Sequence, residues 1–237
     1  MTKSFAITFA FALSAVQCGG ASSEPVTADD VELESEPSRR DNQIQTSSEI
    51  GGLDEDKVNA TFEKSLQGLQ RCLTRGASRV EFLGGAVSFF LKVGTDGKIQ
   101  HAHLEASTLG DHATETCMLD VLKRKEWPPP VGGDVGLARK SFDFDPPNDV
   151  RPPTDWDSEN VREALDEKGD AISDCKGGSR GTFTATMYVD TEGKPLAVGV
   201  TPPDEDGGSA VECLVGLLED TTFPSPGSWP AKVTFDL

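Results

Sequence analysis

The chain of 237 residues carries 40 acidic against 22 basic side chains, a net charge of −18, and is long enough for one or two modest cores. Nothing in it offers the basic footprint that nucleic acid requires, and anionic lipid headgroups would repel it, so membrane association has to come from an anchor. The charge is uneven: net −8 over 22–57, zero over 58–151 and −11 over 152–237.

Residues 1–21 read as a targeting signal. Lys3 precedes a mostly apolar run from Phe5 to Val16, too short for the roughly 20 residues a membrane-spanning helix needs. Cys18-Gly19-Gly20 follows in the manner of a lipoprotein signal, which makes Cys18 the lipidated residue; Gln17 stands where such signals have a small side chain. The alternative is ordinary cleavage after Gly19-Gly20-Ala21. Residues 22–52 hold Ser, Glu, Asp, Pro and Gln with few large apolar side chains. Such a segment cannot bury enough surface to offset ordering and is read as a disordered acidic tether.

A helix is expected next, because Val58, Phe62, Leu66, Leu69 and Leu73 recur at three-to-four spacing behind acidic Asp54-Glu55-Asp56. After Gly84-Gly85 a strand alternates, with Val87, Phe89, Leu91 and Val93 on one face and Ser88, Phe90 and Lys92 on the other. Asp96-Gly97 is a hairpin turn signal. The second strand, Lys98 to Ala106, turns Ala102 and Leu104 inward and His101, His103 and Glu105 outward. A helix over about 112–125, a Trp127-Pro128-Pro129-Pro130 stop and a strand over 134–144 complete the unit.

The chain then repeats itself. Val58, Phe62, Leu69 and Cys72 match Val161, Leu165, Ile172 and Cys175 at a constant offset of 103, and Lys98 precedes Cys117 by the 19 positions that separate Lys194 from Cys213. Phe183, Ala185, Met187 and Val189, then Val198 and Val200, then Val233, Phe235 and Leu237 repeat the three strands. An offset shared by apolar, turn and cysteine positions marks a duplicated fold. The expectation is an α+β protein with two tandem α-β-β-α-β domains, 53–147 and 154–237, the second degenerate, joined by a Pro-rich linker over 148–153. Each domain is expected to be a three-stranded antiparallel sheet, ordered second, first, third, with two helices on one face.

Apart from Cys18, each repeat holds two cysteines at matching positions. In an oxidising compartment these form disulfides; of three possible connectivities the repeat favours Cys72–Cys117 and Cys175–Cys213. Four free thiols are the alternative.

No chemistry stands out elsewhere. His101, His103 and nearby His112 supply three nitrogen donors for zinc, but Ala197 and Gly199 hold the equivalent strand positions, so the reading is a solvated strand face with no metal. Gly177-Gly178-Ser179-Arg180-Gly181 matches a nucleophile elbow in letters only. It precedes a strand instead of following one, and its repeat contains no histidine. Asp204-Glu205-Asp206-Gly207-Gly208 resembles a calcium loop, yet Val215 occupies the twelfth position. No catalytic residue and no cofactor are assigned.

The string Gly84-x-x-Val87-x-Phe89-x-Leu91-x-Val93-x-x-Asp96-Gly97-Lys98-Ile99, with Ala102-x-Leu104-x-x-Ser107-Thr108-Leu109 and Trp127-Pro128, resembles the TonB carboxyl-terminal domain. It is more similar still to the cysteine-bearing AgmX/PglI-type carboxyl-terminal domain of envelope proteins in gliding bacteria. The resemblance covers most of 54–147 and weakens over 157–237. It implies a small α+β module that binds proteins by pairing a sheet edge with a partner segment. The edge it favours is the third strand, 134–144, with Val135, Leu137, Arg139 and Ser141 as partner-binding residues; Arg139 and Lys140 can equally guard that edge against pairing. The transmembrane helix and long Pro-rich spacer of energy transducers are missing from the sequence, so that role is not carried over. The function expected is a non-catalytic interaction module on an exported, outer-membrane-anchored lipoprotein with an envelope protein as partner. A metal-binding or hydrolytic envelope enzyme and a structural spacer are the alternatives.

Overall fold

A computed structural model describes residues 50–237; the targeting signal, Cys18 and nearly all of the acidic tether lie outside the described residues. The first repeat opens with β1 (Ile50–Gly51) and α1 (Glu55–Gly76), followed by β2 (Gly85–Gly94), β3 (Ile99–Ser107), α2 (His112–Lys123) and β4 (Val135–Phe144). The second contains β5 (Thr154–Trp156), α3 (Glu159–Asp166), α4 (Gly169–Lys176), β6 (Thr184–Val189), β7 (Pro195–Thr201), α5 (Gly208–Glu219) and β8 (Ala231–Asp236).

The class is α+β, but the sheets differ from the expected three antiparallel strands. Each has four strands and is mixed, in the orders β1-β4-β2-β3 and β5-β8-β6-β7. The added strands, β1 and β5, run parallel to β4 and β8. Ile50 to Gly52, read from composition as tether, therefore belong to the folded body, where Gly52 and Val131 exchange backbone hydrogen bonds of 3.0 and 2.9 Å.

The helix α1 starts where Asp54 accepts the backbone N–H of Lys57 at 3.1 Å, with Glu55 and Asp56 in the first turn. Its buried stripe of Val58, Phe62, Leu69, Cys72 and Leu73 packs with Met118 and Leu122 of α2 onto Val87, Phe89, Leu91 and Val93. Gly68 lets the two helices close, since a Cβ there would stand 2.6 Å from Val121. The equivalent helix of the second repeat is broken into α3 and α4, with Lys168 out of helical geometry at φ −101°, ψ 5° ahead of Gly169. Glycine costs about 1 kcal/mol within a helix, and Gly169 sits where α1 has Leu66.

One device is repeated to the atom. Gly97 and Gly193 take φ of 71° and 86° in the turns that join β2 to β3 and β6 to β7, and their carbonyls accept the N–H groups of Trp127 at 2.9 Å and Phe223 at 2.8 Å. Both aromatic side chains are buried, so each turn fixes the chain that leaves the last helix of its repeat, α2 or α5.

The repeats are not beads on a linker; both fall in one compact unit. Tyr188 and Ala197 belong by sequence to the second repeat yet pack within the hydrophobic cluster of the first.

Candidate functional site

Two surfaces of the first repeat carry the chemistry. One is the seam against the second repeat; the other is the helix-free face of its sheet, together with the outer edge of β4.

The seam is built on the helix-free face of the second sheet. Ala185, Met187 and Val189 of β6 point into their own core, so alternation turns Thr186 and Tyr188 the other way, against the first repeat. The Tyr188 hydroxyl donates to the Gly84 carbonyl at 3.0 Å and accepts the Gly84 N–H at 3.3 Å. Lys232 of β8 donates to the same carbonyl at 2.7 Å, its ammonium 5.2 Å from the Tyr188 ring centre. Burial raises the Tyr188 phenol above its ordinary value. Burial also lowers the Lys232 ammonium to about 8, against the opposing pull of Asp155 and then Glu115.

Glu115, in the first turn of α2, is fully buried at this seam. Its Oε1 accepts from the Ser107 hydroxyl at 2.6 Å and the Gly110 N–H at 3.4 Å. Burial pushes its carboxyl up to about 7, an effect those two hydrogen bonds only partly offset. Opposite lies Gly199 of β7, where a Cβ would meet Glu115 Oε2 at 2.6 Å. A side chain at position 199 would push the Glu115 carboxylate out of its present place. Nearby, Asp111 joins Arg79 in an ion pair and accepts from the Thr114 hydroxyl at 2.7 Å.

On the open face of the first sheet, Leu137 and Arg139 line a groove of about 630 Å³ with Phe90, Lys92 and His103. Arg139 donates to Glu105 at 2.7 Å and lies 4.6 Å above the Phe90 ring centre. Ser141 and Ser88 share a hydroxyl contact of 2.7 Å across β4 and β2. The structure thus places Val135, Leu137, Arg139 and Ser141 at alternate positions of one strand. Val135 already pairs with Ile50 of β1, so the third strand is not an open edge at its start. Beyond Gly136, no described strand lies beside the outer edge of β4.

The backbone direction along that edge follows from register. Ala86 and Gly94 bond toward β3, through Thr108 and Lys98. Alternation therefore turns the odd-numbered residues of β2 toward β4, and these pair with even-numbered residues such as Ala138 and Lys140. The amides and carbonyls of Leu137, Arg139 and Ser141 face outward.

The four repeat cysteines form two disulfides, Cys72–Cys117 between α1 and α2 and Cys175–Cys213 between α4 and α5, with Cα atoms 5.8 and 5.4 Å apart. The Ser179 loop leads from the left-handed Gly177 cap of α4 into β6, a helix-to-strand order without an elbow. In the acidic loop, Asp204 Oδ1 is occupied by the N–H groups of Asp206 and Gly207 at 3.0 and 3.1 Å, and Glu205 turns to Lys92 at 3.1 Å. Among the described residues no three His, Cys, Asp or Glu side chains are arranged around a common metal position, and no helix is long and apolar enough to cross a membrane. Compared with protein-family models, curated proteins and solved structures, the chain finds no match.

Glu115, Tyr188, Gly199 and Lys232 carry the seam and none was a sequence candidate. The available signal was compositional. The outward positions of β3 are His101, His103 and Glu105, whereas those of β7 are Ala197, Gly199 and Thr201. Small side chains on an outward face mark a covered one.

Proposed function

We propose that the chain is an exported cell-envelope protein, held to the outer membrane through lipid on Cys18, and that it works as a non-catalytic interaction module whose partner, another envelope protein, adds a strand to β4. The observation that carries this reading is the run of outward backbone groups at Leu137, Arg139 and Ser141 beside a strand edge without a described neighbour. An unpaired edge offers main-chain hydrogen bonds to an extended segment, and the adjoining groove offers side-chain selectivity. Two disulfides suit an oxidising compartment, and the apolar leader with Cys18 suits export and lipidation. The similarity of the first repeat to TonB-type domains supports the same mode of binding.

The test is cross-linking capture of the chain from intact cells, comparing wild type with Leu137→Pro and Ser141→Pro. Proline removes one outward donor and leaves the β2 ladder in place, which edge strands tolerate. Both variants are expected to stay folded by circular dichroism and to lose the captured partner. Capture that survives both prolines rules out strand addition at this edge.

A further inference from the structure

Arg71 and Arg75 stand one turn apart on α1, both exposed, and among the described residues neither guanidinium has an ion-pair or hydrogen-bond partner. Both line a cleft of about 280 Å³ between α1 and α2, which Arg124 and Asp120 complete from the α2 side. Gly68 and the Cys72–Cys117 bridge line the same cleft. Like charges four residues apart oppose each other on a helix. The helix dipole favours Arg75, in the last turn, and reaches Arg71 little. We propose that this cleft binds a phosphomonoester on a sugar-like carrier, its phosphate held between Arg71 and Arg75 and a carrier hydroxyl donating to Asp120.

The residue types select the ligand. Guanidinium forks match phosphate oxygens two by two, and two of them balance the charge of about −1.5 to −2 that a phosphomonoester carries at pH 7. Asp120 is free to turn to a hydroxyl, because its pair with Arg124 is long, 3.4 Å, and lies at the surface. The volume falls just below the roughly 300–1,000 Å³ of pockets for larger ligands, which suits a single phosphorylated ring. The cleft is also held ready. The bridge fixes α1 and α2 with Cα atoms 5.8 Å apart, and Gly68 lets Val121 close on α1. The net charge of −18 keeps the chain as a whole from anionic surfaces, so this cleft is a local exception.

The second repeat has the bridge without the charge. Asp174 precedes Cys175 where Arg71 precedes Cys72, and Asp220 follows Cys213 by seven positions as Arg124 follows Cys117. A bridge in this fold therefore needs no arginines around it. The site belongs to the first repeat alone, on the helix side of its sheet, and does not rest on strand addition at β4.

The experiment is calorimetric titration of the full-length chain with glucose 6-phosphate, glucose and inorganic phosphate. Beside it runs flotation with phosphatidylcholine vesicles carrying monophosphoryl lipid A, which presents the same ester on a membrane. Both use Cys18→Ser, so that no anchor masks the vesicle result. Glucose 6-phosphate is expected to bind at one equivalent, inorganic phosphate more weakly and glucose not at all. Arg71→Ala and Arg75→Ala should each weaken binding about tenfold or more. Arg71→Lys should weaken it less, since it keeps the charge and loses the fork. Asp120→Ala should narrow the preference for glucose 6-phosphate over inorganic phosphate, and Arg162→Ala, on the second repeat, should change nothing. The substituted side chains are exposed, so each variant should keep the wild-type Tm. Arginine-dependent binding of glucose 6-phosphate assigns a free sugar phosphate, whereas arginine-dependent binding of the vesicles alone assigns the ester to a lipid headgroup. Binding of neither probe, or binding that survives the double variant Arg71→Ala/Arg75→Ala, overturns the proposal.

Discussion

Replacing Cys175 and Cys213 together by alanine is expected to lower the unfolding free energy by about 3–4 kcal/mol, and Cys72 with Cys117 by a similar amount. The bridges span sequence separations of 38 and 45 residues. Closing loops of that length removes about 4 kcal/mol of chain entropy from the unfolded state, at the upper end of the 2–4 kcal/mol usual for a disulfide. For a folded body of this size that shifts Tm by roughly 10 °C, readable by calorimetry with and without reductant. Local consequences should differ between the pairs. The 22-residue α1 holds a long buried stripe, whereas the eight-residue α4 buries only Ile172. Loss of Cys175–Cys213 should therefore release α3 and α4 first, seen as lost amide protection over 159–176 while α1 stays protected. A change in Tm below about 2 °C for either pair would mean that the bridge closes a loop already ordered in the unfolded chain.

What could be read in the sequence was what is local and repeated. The alternation of Val87, Phe89, Leu91 and Val93 located β2, and the stripe from Val58 to Leu73 located α1. Matching cysteines named the pairs that are bonded. Segments stabilised only by distant partners were not legible. Ile50–Gly51 and Thr154–Trp156 are too short to show a period, and they become strands because β4 and β8 offer them an edge. Gly169 interrupts the second repeat's first helix, though the apolar spacing on either side suggests one. The seam escaped for a related reason. A repeat argument treats equivalent positions as equivalent surfaces, yet His103 faces a groove while Gly199 lies beneath Glu115.

The carboxyl of Glu115 makes the seam pH-sensitive, and Glu115→Gln is expected to remove that dependence. Its protonation is favoured in the folded chain, where burial raises the carboxyl from its ordinary 4.5 to about 7. The folded state then holds a proton that the unfolded state has released, so the carboxyl's contribution is fully favourable below about pH 4.5. It is lost progressively as pH rises through 7. At about 1.4 kcal/mol per pH unit, the full loss comes to roughly 3 kcal/mol. The surrounding groups set the balance: Asp111 opposes ionisation, Lys232 favours it, and Gly199 brings no side chain to share the charge. Lys232 acts in a separate window. Its ammonium is lowered from 10.5 to about 8, so its burial is costly below pH 8 and the cost is relieved as pH climbs toward 10.5. Urea unfolding of wild type and Glu115→Gln at a series of pH values from 5 to 8 separates the two, since only the carboxylate changes between them. The variant should be nearly as stable as wild type at pH 5, where both carry a neutral group at the seam, and gain on it as pH rises. A stability difference that stays constant over that range would place the charge of Glu115 in contact with water and detach it from the packing of Tyr188, Lys232 and Gly84.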